Sequence, residues 1–513
     1  MNQQRYVVGI DIGTTSTKTV LFTQQGTVVQ EHSIGYPLLS PTPDVAEQDP
    51  DEILAAVTTT VRQVIQESQI NPASILCLSF SAAMHSLIAV DAEGKPLTRS
   101  LTWADNRSVA WAERIKQQQG RKIYQRTGVP VHPMSPFIKL VWLRHEQSEL
   151  FQKAAKFVSI KEYVFYQLFG EYVVDYSIAS ASGLLNLTEL TWDREALTIA
   201  GITQNHLSEL VPTTYVVQPL PTGARRLGVE AKTPVVIGAS DGVLSSVGVG
   251  AIAPGVVAVT VGTSGAVRAV VDRPLTDTQE RLFCYAFTKN YWTVGGAVNN
   301  GGVALRWVRN QLTDTEVRAA ERLGKNPYEL ITMLAETVPA GSEGLIFHPY
   351  LLGERSPIWN ADARGSYFGL NINHSKAHLV RAVLEGIVYN LFLVLEALED
   401  AIGAATRIQA TGGFARSSLW RQMMADVFNR QVIVPKSFQS SALGAAVLGL
   451  YALNNLSSLE VSSMIGETYQ QKPIPRNVAM YQKILPLYKS LLNKFQTEYE
   501  SIAQLQVELA EER

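Results

Sequence analysis

The chain has 513 residues, more than one hydrophobic core can serve, so two domains are expected. Its composition is ordinary for a globular protein, 46% hydrophobic and 18% charged, and a formal net charge of -2 excludes a general affinity for nucleic acid or an anionic membrane. Cys77 and Cys284, the two cysteines, both sit in apolar runs and read as buried thiols of a reducing compartment. With no charged-then-apolar leader and no apolar run near the ~20 residues of a membrane span, the expectation is a cytoplasmic protein.

In chain order, apolar runs over residues 6–10, 17–23 and 28–33 predict strands, and the Gln25-Gly26 turn makes the last two a hairpin. Between the first two lies G-I-D-I-G-T-T-S-T-K, from Gly9 to Lys18, a strand that breaks into a turn of small residues. Glycine there removes the Cβ, so backbone N–H groups and small hydroxyls can close on an anion. Asp49 caps a helix ahead of Pro50, and Ile53, Leu54, Val57, Val61, Val64 and Ile65 give it an apolar face at helical spacing. The next strand, 74–80, runs on into Met84-His85. From 109 to 220 the pattern is mostly amphipathic helix, with Y-V-V-D-Y-S-I-A-S-A-S-G at 172–183 as a polar interruption. V-V-I-G-A-S-D-G at 235–242 is again a buried strand ending in a small-residue turn, now with one acid. Strand, hairpin, helix, strand is the order of a layered α/β protein.

The second half repeats the opening. Strands at 256–261 and 266–271 flank Gly262, Thr263 and Ser264. A long helix at 376–400, a strand at 407–410 breaking at T-G-G-F-A-R, a Gly/Ala-rich helix at 442–450 suited to close packing, and a charged surface helix at 490–513 follow. No low-complexity linker is present, so the boundary is placed at 245/246 with short crossovers near 242–255.

Two anion-binding turns, one in each half, imply two related lobes gripping one nucleotide. Asp11, before the first turn, reads either as an Asx-turn stabiliser or as an acid holding Mg²⁺ near phosphates, since Mg²⁺ takes one or two carboxylates and keeps several waters. Lys18 either reaches a phosphate or is a solvated strand lysine. Asp241 stands at the C-terminal end of a strand, where open α/β sheets place ligands, and suits a base that orients an alcohol for phosphoryl transfer; a helix N-cap is the alternative. Three segments suit sugar recognition: Met84-His85, W-A-D-N-R at 103–107, with its aromatic, acid and arginine, and H-P-Y-L-L-G-E-R-S-P-I-W-N at 348–360. A structural histidine and an ordinary salt-bridged loop are the plain readings of the first two.

Together with M-S-P-F-I-K-L-V-W-L at 134–143, A-V-N-N-G-G at 297–302, G-S-Y-F-G-L through R-A-V-L-E-G at 365–386, and A-T-G-G-F-A-R-S at 410–417, these motifs resemble the FGGY carbohydrate kinase family along nearly the whole chain. Within it they are most like the bacterial gluconokinase branch. The resemblance implies an α/β fold of two ribonuclease-H-like lobes, the actin, hexokinase and heat-shock ATPase superfold, around a central cleft. Residues 1–245 would bind the sugar and 246–513 the nucleotide. ATP with Mg²⁺ would phosphorylate D-gluconate to 6-phospho-D-gluconate, a step of sugar acid catabolism. Asp241 falls on the family's base and Asp11 on its Mg²⁺-associated acid. Met84, His85, Asp105 and Arg107 match sugar-side positions. Gly13, Thr14 and Thr15, with Lys18 beyond, match the first phosphate loop, and Gly262, Thr263 and Ser264 the second. Gly301, Gly302, Gly412, Gly413 and Ser417 match the nucleotide side. Gln439, where many relatives carry Glu, would remove a charge near the nucleotide pocket. A xylulose or glycerol kinase keeps the same loops with a different pocket. A non-catalytic nucleotide-gated binding protein predicts a degraded sugar-side set, yet Met84, His85, Asp105, Arg107 and Asp241 are all present. A homodimer is compatible with this reading.

Overall fold

The computed structural model describes residues 4–436, 439–460 and 463–511. It divides into two compact units, one formed by residues 1–254, 270–294 and 439–466, the other by 255–269, 295–438 and 467–513. The units therefore do not follow a single cut at 245/246. Segments 270–294 and 439–466 return to the first unit because their apolar side chains complete its core: Cys284, Ala286 and Trp292 pack with Ile178 and Leu185, and Leu443, Val447 and Leu450 pack with Val7, Val20 and Val236.

In the first unit Tyr6–Ile12, Ser16–Thr23 and Val28–Gly35 form an antiparallel meander. Tyr6–Ile12 also runs parallel to Ile75–Ala82, which runs parallel to Val235–Ser240. The helix Pro50–Ser68 covers one face, and Asp49 Oδ1 caps it by accepting from the amides of Asp51 (2.8 Å) and Glu52 (3.4 Å). The helix Ser440–Ala452 covers the other. Its small residues permit backbone contact: a Cβ on Gly9 would lie 2.1 Å from the Ala442 carbonyl oxygen, and one on Gly444 would lie 1.9 Å from that of Leu244. The stretch 109–220 is less helical than expected. Helices such as Val109–Thr127 and Ile160–Phe169 alternate with short strands, including Lys156–Val158 and Val173–Asp175, which pair with Ile88–Val90 and Glu209–Val211.

The second unit repeats the plan. Val256–Val261 pairs antiparallel with Gly265–Val271 and parallel with Arg407–Thr411, which pairs parallel with Val432–Pro435. Its core helix, Lys376–Ile402, is long and apolar enough to cross a membrane, yet 83% of its most apolar stretch is buried inside the fold. The tail is one helix, Pro475–Glu511, and it is more than a charged surface element: Tyr481, Tyr488 and Tyr499 are buried along it.

Candidate active site

Parallel pairing puts strand C-termini on one edge of the first sheet, and the candidate chemistry gathers there. Asp11 pairs in register with Ser81, and Ala82 with Ser240, so Asp11, in the last two residues of its strand, and Met84-His85 and Asp241, which follow theirs, lie on the same edge. Ser81 Oγ donates to Asp11 Oδ1 at 2.7 Å. Burial first, then the nearby charge of Asp241, raises the Asp11 carboxyl from 3.8 to about 6, against the Ser81 hydrogen bond and the attraction of Lys18, its cross-strand partner. Two carboxylates that repel each other beside the first glycine turn fit a hard cation: one would relieve the repulsion, and carboxylate oxygen is its usual ligand. No group of three or more acidic, histidine or cysteine side chains is poised to hold a metal among the described residues. Asp241 is not an N-cap. Ser240 holds that position and Asp241 is the first residue of the helix Asp241–Gly248, with its Oδ1 accepting from the Gly242 amide at 2.7 Å.

The first glycine turn closes through the Gly13 amide donating to Ser16 O (3.0 Å), and Tyr36 Oη donates to Gly13 O (2.5 Å). Gln48 Nε2 donates to Thr14 O at 2.6 Å and Trp103 Nε1 to Thr14 Oγ1 at 3.1 Å. The loop is thus fastened to the W-A-D-N-R segment. Asp105, 1% exposed, accepts from the Ala46 amide and from Arg107, whose Nη2 also donates to Glu47 Oε1 at 2.5 Å. Arg107 lies 4.8 Å from the Trp142 ring centroid. The salt-bridged reading of this loop is therefore physically real, with Arg107 held between two carboxylates. His85 is buried at φ 67, its Nδ1 donating to Ala181 O at 2.9 Å and its Nε2 lying 3.4 Å from Tyr285 Oη. Beneath it Lys139 Nζ donates to three carbonyls, those of His85 (2.9 Å), Thr102 (2.6 Å) and Met134 (2.7 Å). Burial lowers that ammonium from 10.5 to about 7, opposed by Asp105. Sequence reasoning passed over Glu47, Gln48, Ser81 and Lys139. Of these only Lys139 left a signal, as the one charge inside the apolar run of the helix Pro136–Glu146.

In the second unit the equivalent edge carries the second turn. The Gly262 amide donates to Ser264 O (2.9 Å), while the amides of Gly301 and Val303 donate to Thr263 O and that of Gly302 to Gly262 O (2.7 Å), laying the start of the helix Gly302–Gln311 on the loop. A pocket of about 460 Å³ opens beside it, lined by Val261, Gly262, Thr263, Gly302, Gly413 and Ser417 and walled by Arg306, Tyr328, Phe414, Arg416 and Trp420. Gly413 has open space where a Cβ would stand, whereas Gly412, at φ +114, would place one 2.2 Å from Val261 O. Ser417 caps the helix Ser418–Phe428, accepting from the Trp420 amide at 3.2 Å. Gly301, Gly412 and Ser264 do not line the pocket; their part is in the backbone around it. Arg306, Tyr328 and Trp420 went unnoticed because they lie on ordinary amphipathic helices.

Gln439 belongs to the first unit and donates from Nε2 to Glu31 on the meander. One expectation needs correction. The segment 348–360 is spent inside the second unit. Glu354, 1% exposed, accepts from the Arg355 amide (2.8 Å), Asn300 Nδ2 (3.1 Å) and Asn390 Nδ2 (2.8 Å), and its carboxyl is raised by burial. It is a strut beneath the 297–302 turn.

Residues 6–248 match the N-terminal domain of the FGGY family of carbohydrate kinases and residues 257–453 its C-terminal domain. The chain belongs to that family. This FGGY kinase is 52% identical over 505 residues to a curated gluconokinase of Bacillus subtilis (strain 168), covering 98% of each chain. A crystal structure of gluconate kinase from Lactobacillus acidophilus is 39% identical and superposes with a TM-score of 0.91, covering 98% of this chain and all of that one. A ligand-bound xylulose kinase from the same organism is also 39% identical, with a TM-score of 0.90 over 97% of this chain. The mixed α/β fold of two sheet-containing units is that of the actin-like and hexokinase-like sugar kinases.

Proposed function

We propose that this FGGY kinase phosphorylates D-gluconate with ATP, giving 6-phospho-D-gluconate and ADP. The observation that carries the acceptor is the full-length 52% identity to a gluconokinase. The duplicated glycine turns and the carboxylates at one strand edge support the chemistry. In this reading the first unit takes the sugar acid and the second the nucleotide, with adenine in the pocket beside Tyr328 and Trp420. Each unit offers a glycine turn suited to phosphate, 13–15 in the first and 262–264 in the second, and Lys18 adds a positive charge beside the first. Asp241 orients the terminal hydroxyl of gluconate toward the γ-phosphorus and takes its proton as the new O–P bond forms and the bond to ADP breaks. A carboxylate of ordinary basicity suffices, because the transition state is loose and positioning does most of the work. Asp11 would hold Mg²⁺, which neutralises phosphate charge when bound. Met84, His85, Asp105 and Arg107 frame the acceptor. The buried free thiols Cys77 and Cys284 suit a reducing cytoplasm.

ADP release measured with gluconate, xylulose and glycerol tests the acceptor, and turnover of xylulose without gluconate would transfer the assignment to a xylulose kinase, a reading supported by the 39% identity to a solved xylulose kinase. Asp241→Asn should lower kcat by at least ~100-fold, the scale of a lost general base, with ATP affinity nearly unchanged. Wild-type turnover in that variant would remove Asp241 from the mechanism.

A further inference from the structure

Val235–Ser240 carries Asp241, but its last turn is not held by its neighbouring strand alone. Its register against Ile75–Ala82 breaks between Val236 and Ala239. Past the break the amide of Ser240 donates to a side chain, Ser177 Oγ, at 3.1 Å, and Ser177 Oγ in turn donates to Ser240 Oγ at 2.7 Å. Ser177 is fixed from behind. Its own amide donates to Asp175 Oδ1 at 3.0 Å, and Asp175 Oδ2 accepts from Lys161 Nζ at 2.8 Å. Lys161 Nζ also donates to Ala239 O at 3.3 Å, so the same cation grips both sides of the junction. Asp175, Ser177 and Ser240 are 0% exposed and Lys161 is 2%. A buried ion pair and one serine, Ser177, thus converge on the two residues that precede Asp241.

We infer that Ser177 is a positioning residue for Asp241, with the Lys161–Asp175 pair as its anchor. This rests on the reading of Asp241 as the base. Paired buried charges are costly to assemble and often contribute little net stability, so their use here is to fix one geometry. A carboxylate displaced by ~1 Å from its hydroxyl loses on the order of 100-fold in rate. The V-V-D-Y-S-I-A-S run of residues 173–180, a polar interruption in the sequence, thereby acquires a part in catalysis without touching substrate.

The test compares Ser177→Ala, Ser177→Thr, Ser240→Ala and Asp241→Asn in the full chain by steady-state kinetics with gluconate and ATP, alongside thermal unfolding. Ser177→Ala is expected to lower kcat by roughly 10- to 100-fold with both KM values within about twofold of wild type, and Ser177→Thr, which keeps the hydroxyl, to recover most of that loss. Ser240→Ala keeps the amide-to-Ser177 bond and should cost less than Ser177→Ala. Wild-type kcat in Ser177→Ala with only a lower unfolding temperature would overturn the inference, as would a rise of both KM values equal to the fall in kcat. If Ser177→Ala does not fold, Ser177→Cys, which keeps the side-chain volume but weakens both bonds to Ser240, decides, and wild-type kcat there overturns it. Wild-type turnover in Asp241→Asn would instead remove the base reading, a result separable from the other two.

Discussion

His348 opens the segment first read as a sugar contact, and its surroundings set a measurable cost of acidification. The side chain is 0% exposed. Its Nε2 donates to the Tyr488 carbonyl at 3.1 Å, and its ring stacks on Tyr488 with centroids 4.3 Å apart. Burial lowers its pKa from 6.5 to about 4. The unfolded chain therefore takes up a proton near pH 6.5 that the folded chain refuses until about pH 4, so the stability from this site is fully present above 6.5 and is lost as pH falls through 4. At ~1.36 kcal/mol per unit the loss is about 3 kcal/mol. His348→Gln keeps an N–H donor and does not titrate. Hydrogen exchange of the amides of Pro475–Glu511, measured at pH 7 and near pH 4.5, should show wild type losing protection relative to this variant as pH falls, while the gluconate KM at pH 7 stays unchanged. Parallel pH dependence in the two proteins would refute the burial argument. A raised gluconate KM with unaltered protection would restore 348–360 to the sugar site.

Two substitutions probe the second unit's pocket. Tyr328→Ala removes an aromatic wall, and a lost base stack of ~1–3 kcal/mol should raise the ATP KM roughly 5- to 150-fold with the gluconate KM unchanged; an unaltered ATP KM would place adenine elsewhere. Gly412→Ala forces a Cβ to within 2.2 Å of Val261 O at φ +114, so the pocket rim must move, and a rise of at least ~10-fold in the ATP KM is expected. Normal ATP kinetics in that variant would show that the rim tolerates the shift.

The parts legible in the sequence were those built by local rules. The two glycine turns, the Asp49 cap and the helix at 376–400 follow from short-range patterns, and each stands where those patterns put it. What the sequence hid depends on distant partners. Lys161 looks like a surface charge until the carboxylate and carbonyl that surround it are known. The 109–220 stretch misled because its short strands are too brief to show a period of two before they end. Glu354 and Arg355 looked like ligand readers because a buried polar network and a binding loop draw on the same residue types.

The helix Ser440–Ala452 has a consequence for how the chain reaches its native state. It seals a face of the sheet whose first strand is made from residues 6–12, and the backbone contacts at Gly9 and Gly444 leave no room for a substitute. During synthesis the first unit must wait for more than four hundred residues to leave the ribosome before its core can close, with Val7, Val20 and Cys77 uncovered meanwhile. A chain stopped at residue 436 would lack part of both units, so neither half should be obtainable by cutting the gene in two.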